Sequence, residues 1–582
     1  QFLWWNGETQ GNWADGWLRH VMWVGDEGHR EAARDWVERI LGTQDADGYL
    51  GIYAPDLRFP EQGENGELWT QACLLRALLG YASHTGDTRV LHAVRRAVER
   101  TMAGYPMPGP ATEGSHPFGV AASFGGVSHG LMFVDVLWEL ANLTGDAACL
   151  AYAAWLYRAF SASAASERDI AADRLLAEDG FRGHGPHTYE HWRALTIAAA
   201  ADEHGGQPPL PFARLQDAYL RKLDRALTPS GAPNGDEWCH AEGSADLTGY
   251  EFCSVQELLH SYGNLVEVTG DPAWGDRMES LVFNVGMGAR DPVDGGVAYL
   301  KTDNSRSMTG VEGFRPAEPG ENQTRYRYSP VHREAAVCCV PNAGRLLPTY
   351  LRYSWLRGTR DGVPQLAVLL YGESRLSTTI AGVPVTITQA TAYPADHRVR
   401  FTVETGVPLV FVLSLRQPGW ARRADVTGVG AERVSGEGGF LHVQATWPAG
   451  STSFDLELGA EPEIRDAEPG TGIVAQGPLL FAQPLPGRRE IVRTYPVQGT
   501  AGPFRDVAVH ATVNPTPVRL RTDVRPRTAP VAPGSEAAGA AHAWQRLGMM
   551  VVGRGPDGAP VEVSLVPMGA TVLRQLTFEL EP

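Results

Sequence analysis

The sequence predicts a multidomain chain: an (α/α)6 toroid over residues 1–356, then two antiparallel β-sandwich domains over 357–465 and 466–582. Three observations carry this. A Gly-Asp connector recurs through the first 355 residues at Gly25, Gly86, Gly145, Gly205 (followed there by Gly206) and Gly270, at intervals of 61, 59, 60 and 65 residues. After about residue 357 the apolar pattern changes to period two. A Pro/Gly-rich stretch, Glu461–Gly472, then separates the two sets of strands. A 63.0 kDa chain is too long for one core, which agrees with several domains.

The helices come first. Three of the five connectors read Thr-Gly-Asp in full, with Thr85, Thr144 and Thr269. Glycine ends one helix in the left-handed conformation, and aspartate caps the next. Apolar faces flank them, such as Leu74, Leu75, Leu78 and Leu79 before the second turn and Leu137, Leu140 and Ala141 before the third. A period near 60 is one helical hairpin plus a long return loop, and such units stack by burying faces against their neighbours. A last helix, Arg345 to Trp355, completes a sixth unit. No polar capping face marks the first or last unit, which favours a closed ring over an open solenoid.

Return loops rich in Trp, Gly, His and carboxylates are expected at Trp4–Trp17, Asp45–Tyr53, His116–His129, Gly183–Glu190 and Gly235–Tyr250. A toroid gathers such loops at one rim, and aromatic faces beside acids and imidazoles suit sugars. The strands follow at Leu366–Tyr371, Val383–Thr388, Val399–Val403, Leu409–Leu413 and Phe454–Leu458, with more near 508–520 and 561–579. Arg525–Ala541 reads as a long loop in the second sandwich. These domains carry no chemical cluster, so support of the toroid is their expected role.

Composition narrows the function. The net charge is −17, which repels phosphate backbones and makes nucleic acid an unsuitable partner. No apolar run reaches membrane-spanning length. Gln1 is not an initiator Met, so an upstream processed segment stays open. Six scattered cysteines are not a disulfide scaffold, and thiols kept for a metal suit a reducing compartment, so cytoplasm is the expectation and secretion the alternative. A sandwich face leaves room for a homodimer, which no residue specifies.

The chemistry concentrates in three segments. Cys338 and Cys339 are adjacent in AVCCVPN, at the start of the last helix and after a loop, 288–335, too long for a simple connection. The flanks of Asn322–Tyr328, rich in Gly, Tyr and Arg, argue that this loop is ordered. Glu251-Phe-Cys253 opens a helix running to Val268, and Gly235–Glu242 is a dense acid, thiol and imidazole loop. Three thiolates and one carboxylate make a sulfur-rich tetrahedral zinc set. The alternative is that these are buried structural cysteines, which behave as small hydrophobes. Closure of the ring would make the last two hairpins neighbours and let the three segments meet.

The order of Gly-x-Glu loop, Glu-x-Cys at a helix start and Cys-Cys-x-Pro-Asn before the final helix resembles the β-L-arabinofuranosidase family, glycoside hydrolase family 127. Asp47-Gly-Tyr-Leu50, the Thr-Gly-Asp turns and Gly477-Pro-Leu-Leu-Phe481 support the resemblance, which covers essentially the whole chain. It implies an (α/α)6 barrel with β-sandwiches and a retaining glycosidase whose zinc is held by one Glu and three Cys. It would make Glu251, Cys253, Cys338 and Cys339 the zinc ligands, Cys338 the nucleophile and Glu237 the general acid/base. The substrate it implies is an oligosaccharide or glycoside bearing a β-L-arabinofuranosyl or related furanosyl residue, attacked from its end. A free thiol is mostly protonated at neutral pH, whereas zinc coordination deprotonates it, so the roles are chemically coherent.

The chain departs from the family's pattern in places. The span from Glu237 to Glu251 is shorter, so Glu242 competes for the acid/base role, and Cys239 and His240 offer substitute ligands. Gly125-Gly-Val-Ser-His129 stands where relatives carry an acid, placing an imidazole in the pocket wall. His184 in Gly183-His-Gly-Pro-His187 resembles the family's Gly-His sugar contact, with His187 and Glu190 as further candidates and His129 on the wall. Rival readings are a zinc with a purely structural role, a vicinal Cys338–Cys339 disulfide, a toroid lyase or epimerase using His184, His187 and tyrosines, and a non-catalytic glycan-binding protein.

Overall fold

The computed structural model describes residues 3–60, 66–109, 114–118, 126–164, 167–205, 209–240, 242–293, 295–308, 326–330, 338–429, 434–497, 502–531 and 542–581. Gly206, Asn322–Arg325 and most of the predicted Arg525–Ala541 loop lie outside the described residues.

The N-terminal part is helical. Its pairs are α1 (Leu3–Val24) with α2 (Glu27–Leu41), and α3 (Glu67–Thr85) with α4 (Thr88–Gly104). A short α5 (Gly126–His129) leads into α6 (Phe133–Thr144), which turns back into α7 (Ala147–Ala162). After α8 (Ala172–Leu175) come α9 (Gly185–Gly205) with α10 (Phe212–Ala226), then α11 (Phe252–Thr269) with α12 (Trp274–Ser280). The chain ends this part with α13 (Cys339–Ala343) and α14 (Leu346–Arg352). The Thr-Gly-Asp turns work as read: Gly86, Gly145 and Gly270 adopt φ of +69°, +74° and +71°. Asp87 and Asp146 accept from the Arg89 and Ala148 amides at 2.9 and 3.0 Å. The threonine adds a contact of its own, taking the Asp87 amide on Thr85 Oγ1.

Contacts run from helix to helix in order: α1 with α3, α3 with α6, α6 with α9, α9 with α11, and α11 with α13 and α14, both of which return to α1. At the centre lies a buried ion lattice. Arg193 donates to Asp135 at 2.9 Å and to Glu257 at 2.5 Å. Arg345 donates to Glu257 at 2.6 Å and Asp15 at 3.0 Å, and Asp15 also takes Arg19 at 2.6 Å. Buried charges persist only when paired in this way.

Three expectations need correction. Trp4–Trp17 is not a loop but lies within α1. Its glycines serve close packing: a Cβ at Gly11 would sit 2.5 Å from Cys73 Cβ on α3, and one at Gly16 only 2.7 Å from the Gly344 carbonyl carbon. Tight helix contact, not turning, explains the composition. The final helix stops short of Trp355: it runs as Cys339–Ala343 and, capped by Arg345, as Leu346–Arg352, and Trp355 opens a strand. Gly183–Glu190 is likewise helical from Gly185 onward.

Residues 355–458 form two five-stranded sheets sharing one core, with Ile387, Phe401 and Phe454 from one meeting Leu366, Phe411 and Trp447 from the other. Beyond them, a further sheet returns on itself, because Thr471–Gln476 pairs with both Phe578–Leu580 and Leu479–Pro484. Two pairings are parallel rather than antiparallel: Leu409–Arg416 with Val363–Val368, and Arg519–Leu520 with Phe578–Leu580. Among the described residues no helix is long and apolar enough to cross a membrane.

The segment 288–335 is tied to both parts. Strand β1 (Tyr250–Glu251) precedes α11, while β2 (Val297–Ala298) and β3 (Leu300–Lys301) belong to the long connection. β3 pairs with β1, and β2 joins a sheet with Tyr328–Ser329, Arg505–Ala511 and Gly487–Thr494. Arg574, fully buried, donates to Tyr250 Oη at 2.9 Å and to the carbonyls of Asp303 and Thr302 at 2.9 and 3.0 Å. The C-terminal region therefore clamps the strand that carries Glu251.

Candidate active site

Glu251 sits in extended conformation at the end of β1 and immediately precedes α11, so it and Cys253 in the first helical turn face one point. The adjacent Cys338 and Cys339 open α13, which packs on α11. One ligand atom from each of Glu251, Cys253, Cys338 and Cys339 lies within 4.8 Å of the others. Cys338 and Cys339 sulfurs are 3.9 Å apart, which excludes a vicinal disulfide, and Cys253 lies 3.2 Å from Cys339. Glu251 Oε1 is 3.5 Å from Cys339 and 3.9 Å from Cys338. In a tetrahedral site with Zn–S near 2.3 Å, neighbouring sulfurs stand about 3.8 Å apart and a carboxylate oxygen about 3.6 Å from each. The donor set and its spacing fit a zinc ion.

The supporting contacts are specific. Asn342 Nδ2 donates to Cys253 Sγ at 3.2 Å, and its Oδ1 accepts from Arg345 at 2.8 Å, tying the thiols to the buried ion lattice. Contacts from the Cys253 and Cys339 thiols hold Cys338 well below the usual thiol range. Burial pushes Cys253 and Cys339 up.

Glu237 is held beside this cluster. Its backbone adopts φ +82°, a left-handed strain that a non-glycine residue keeps only when its surroundings enforce it. Here its carbonyl accepts from Gly185 at 2.7 Å, and the Cys239 amide donates to Gly183 at 2.9 Å. The carboxylate takes the Tyr299 hydroxyl at 2.7 Å and lies 2.9 Å from His184 Nε2. Tyr299 Oη also stands 3.5 Å from Cys338 Sγ. Burial works against a charged His184, but the hydrogen bond and charge of Glu237 win and raise its pKa.

Glu242 is exposed, Cys239 is buried against Tyr189 Oη at 3.7 Å, and His240 pairs with Asp236 at 2.8 Å. None of the three joins the thiol cluster. Of the expected sugar contacts, the His184 side chain is 17% exposed, whereas His129, His187 and Glu190 are at 9, 3 and 0%. Glu190 is sealed behind His129, whose Nδ1 it meets at 2.6 Å, so it has no open space to touch a ligand. Trp238, half exposed, stands at the rim 5.8 Å from the His184 ring.

Sequence reasoning passed over four residues. Tyr299 was only one residue of the long 288–335 loop, Asn342 part of a motif, and Glu167 gave no signal; it lies 2.5 Å from His187 Nδ1. Glu8 is buried in α1, and burial together with the charges of Cys338 and Glu190 pushes its carboxyl well above the usual carboxylate range. Its signal, an acid inside an apolar helix face, was hidden by the loop reading of that segment.

Residues 365–458 match the family model for the middle domain of the GH127 β-L-arabinofuranosidases. This is the GH127 fold. It is shared with a GH127 β-L-arabinofuranosidase from Geobacillus stearothermophilus T6 at 17% identity, covering 99% of this chain and 90% of that one with a TM-score of 0.71. A second GH127 β-arabinofuranosidase matches at 15% identity over 99% and 88% of the two chains, TM-score 0.65. A structure described as a glycoside hydrolase matches at 16% over 100% and 93%, TM-score 0.69. No curated protein matches the chain by sequence. The GH127 resemblance drawn from Cys-Cys-x-Pro-Asn and Glu-x-Cys is borne out by the middle domain and the fold.

Proposed function

We propose that the chain is a retaining glycoside hydrolase in which Cys338 is the nucleophile and Glu237 the general acid/base, set on an (α/α)6 toroid with supporting β domains. The observation that carries this is Tyr299. Its contacts of 2.7 and 3.5 Å cap the distance between Glu237 Oε1 and Cys338 Sγ at about 6.2 Å. Retaining pairs stand about 5–5.5 Å apart and inverting pairs about 6.5–9.5 Å, so the cap favours retention. Zinc at Glu251, Cys253, Cys338 and Cys339 would supply a positive charge that keeps the sulfurs deprotonated near neutral pH.

In the first step the Cys338 sulfur forms a bond to the anomeric carbon while the bond to the leaving oxygen breaks, and the Glu237 carboxyl gives that oxygen its proton. In the second, water attacks the same carbon, its proton passes to Glu237, and the S–C bond breaks to return the thiolate. Tyr299 orients the acid toward the sulfur, and His184 donates to the other carboxylate oxygen. Trp238 offers an apolar ring face at the rim, and His184 is the most exposed of the four expected wall residues. The likeness to a GH127 β-L-arabinofuranosidase and to a GH127 β-arabinofuranosidase supports a β-L-arabinofuranoside as the substrate.

The test is release of an aryl alcohol from aryl β-L-arabinofuranosides, with furanosides and pyranosides compared, and with Cys338→Ser and Cys338→Ala variants. Loss of turnover with retained folding is expected. Wild-type rates in Cys338→Ser would end the proposal.

A further inference from the structure

A second group of ligating side chains lies beside the thiols and uses none of them. One ring nitrogen from each of His129, His184 and His187 lies within 4.8 Å of the other two. The rings crowd together, with centroids 3.8 Å apart for His129 and His187 and 4.6 Å for His184 and His187. Each ring has a carboxylate against one nitrogen, by hydrogen bond for His129 and His184 and as an ion-pair contact for His187, whose Nδ1 makes no formed hydrogen bond. Glu190 holds His129 Nδ1 at 2.6 Å, Glu167 lies 2.5 Å from His187 Nδ1, and Glu237 takes His184 Nε2 at 2.9 Å. The remaining nitrogens of two rings, His187 Nε2 and His184 Nδ1, are buried without a hydrogen-bond partner. His187 itself is 2% exposed.

A buried imidazole nitrogen left unsatisfied is costly. Two such rings and His129, each with a carboxylate against one nitrogen, resemble the carboxylate–histidine arrangement that orients imidazoles toward a metal. Three imidazoles converging on one point suit a divalent transition ion of the zinc, cobalt or nickel kind. The edge of such a tetrahedron is about 3.3 Å, inside the 4.8 Å within which the three nitrogens lie.

We propose that His129, His184 and His187 form a second divalent-metal site, separate from the Cys338 centre. The inference does not rest on the glycosidase reading, since it needs only the three rings and their carboxylates. Its ion leaves His184 Nε2 free to keep Glu237, because it takes His184 from the Nδ1 side.

The experiment is metal analysis of the full-length chain after chelation and reloading with Co2+ or Zn2+, with folding checked by circular dichroism. Wild type should hold two equivalents, His187→Ala one, and a Cys253→Ala/Cys339→Ala double variant one. Cobalt in that double variant should show d–d absorption without the thiolate-to-cobalt charge-transfer band. One equivalent in wild type that survives His187→Ala overturns the proposal and leaves the imidazoles as a sugar wall. One equivalent that survives the cysteine changes but is lost with His187→Ala sinks the thiolate centre instead. Should the double variant fail to fold, the drop from two equivalents to one between wild type and His187→Ala decides alone.

Discussion

Asn342→Ala gives a direct measure of how the helical core supports the thiols. Asn342 is buried, donates to Cys253 Sγ at 3.2 Å and accepts from Arg345 at 2.8 Å. Removing an outer partner of a metal ligand costs about 10–100-fold in affinity, equivalent to about 1.4–2.7 kcal/mol. The fold should keep most of its stability, because Arg345 keeps Glu257 at 2.6 Å and Asp15 at 3.0 Å. Leaving one donor of that guanidinium unmatched costs about 1–3 kcal/mol at most. Asn342→Asp separates the two roles: it keeps an acceptor for Arg345 but replaces the N–H with a negative oxygen facing sulfur, so it should bind metal more weakly than Ala and melt closer to wild type. Affinity is read by competition with a coloured chelator, and stability by thermal unfolding. Wild-type metal affinity in both variants would refute the coupling between the buried ion lattice and the thiol cluster.

Tyr299→Phe removes the one hydroxyl shared by Glu237 and Cys338, and kcat should fall about 10–100-fold with folding intact; an unchanged kcat would show the hydroxyl to be idle. Glu237→Gln should lose most activity on glycosides with poor leaving groups but retain the first step on an aryl glycoside with an acidic phenol, seen as a burst of phenol release. Burial alone would raise Glu257, but Arg345, Arg193 and Arg76 outweigh it and hold the carboxyl at about 2, against an ordinary 4.5. Its folded pKa is depressed, so the stability it adds is whole above pH 4.5 and drains as pH falls toward 2, by about 3 kcal/mol in all. Denaturant titrations at pH 6 and pH 3 should therefore show a smaller acid loss in Glu257→Gln than in wild type, and an equal loss would contradict the assignment.

Much of the thiol centre was legible because its residues announce themselves. Adjacent cysteines, a Glu-x-Cys at a helix start and a repeated Thr-Gly-Asp cassette each have few other uses. Three-dimensional partners were not legible. Tyr299 reaches Glu237 only because β3 pairs with β1, a contact of two residues across 50 positions that leaves no trace in either segment. Glu8 and the glycines of α1 misled for the opposite reason: Gly11 and Gly16 looked like turn residues, yet they thin the helix so that α3 and α13 can press against it. The ion lattice around Arg193 and Arg345 was invisible, since an arginine in an apolar helix reads as a solvated face until its two carboxylates are seen.

Arg574 stands eight residues from the C-terminal end of this sequence yet grips the strand that presents Glu251, and the sheet built by Arg505–Ala511 accepts β2, one residue before Tyr299. A shortened protein ending after the last helix would therefore keep every thiol and lose the scaffolding that aims them. Grafting the helical ring of one homologue onto the tail of another should succeed only when residues 288–335 travel with the tail.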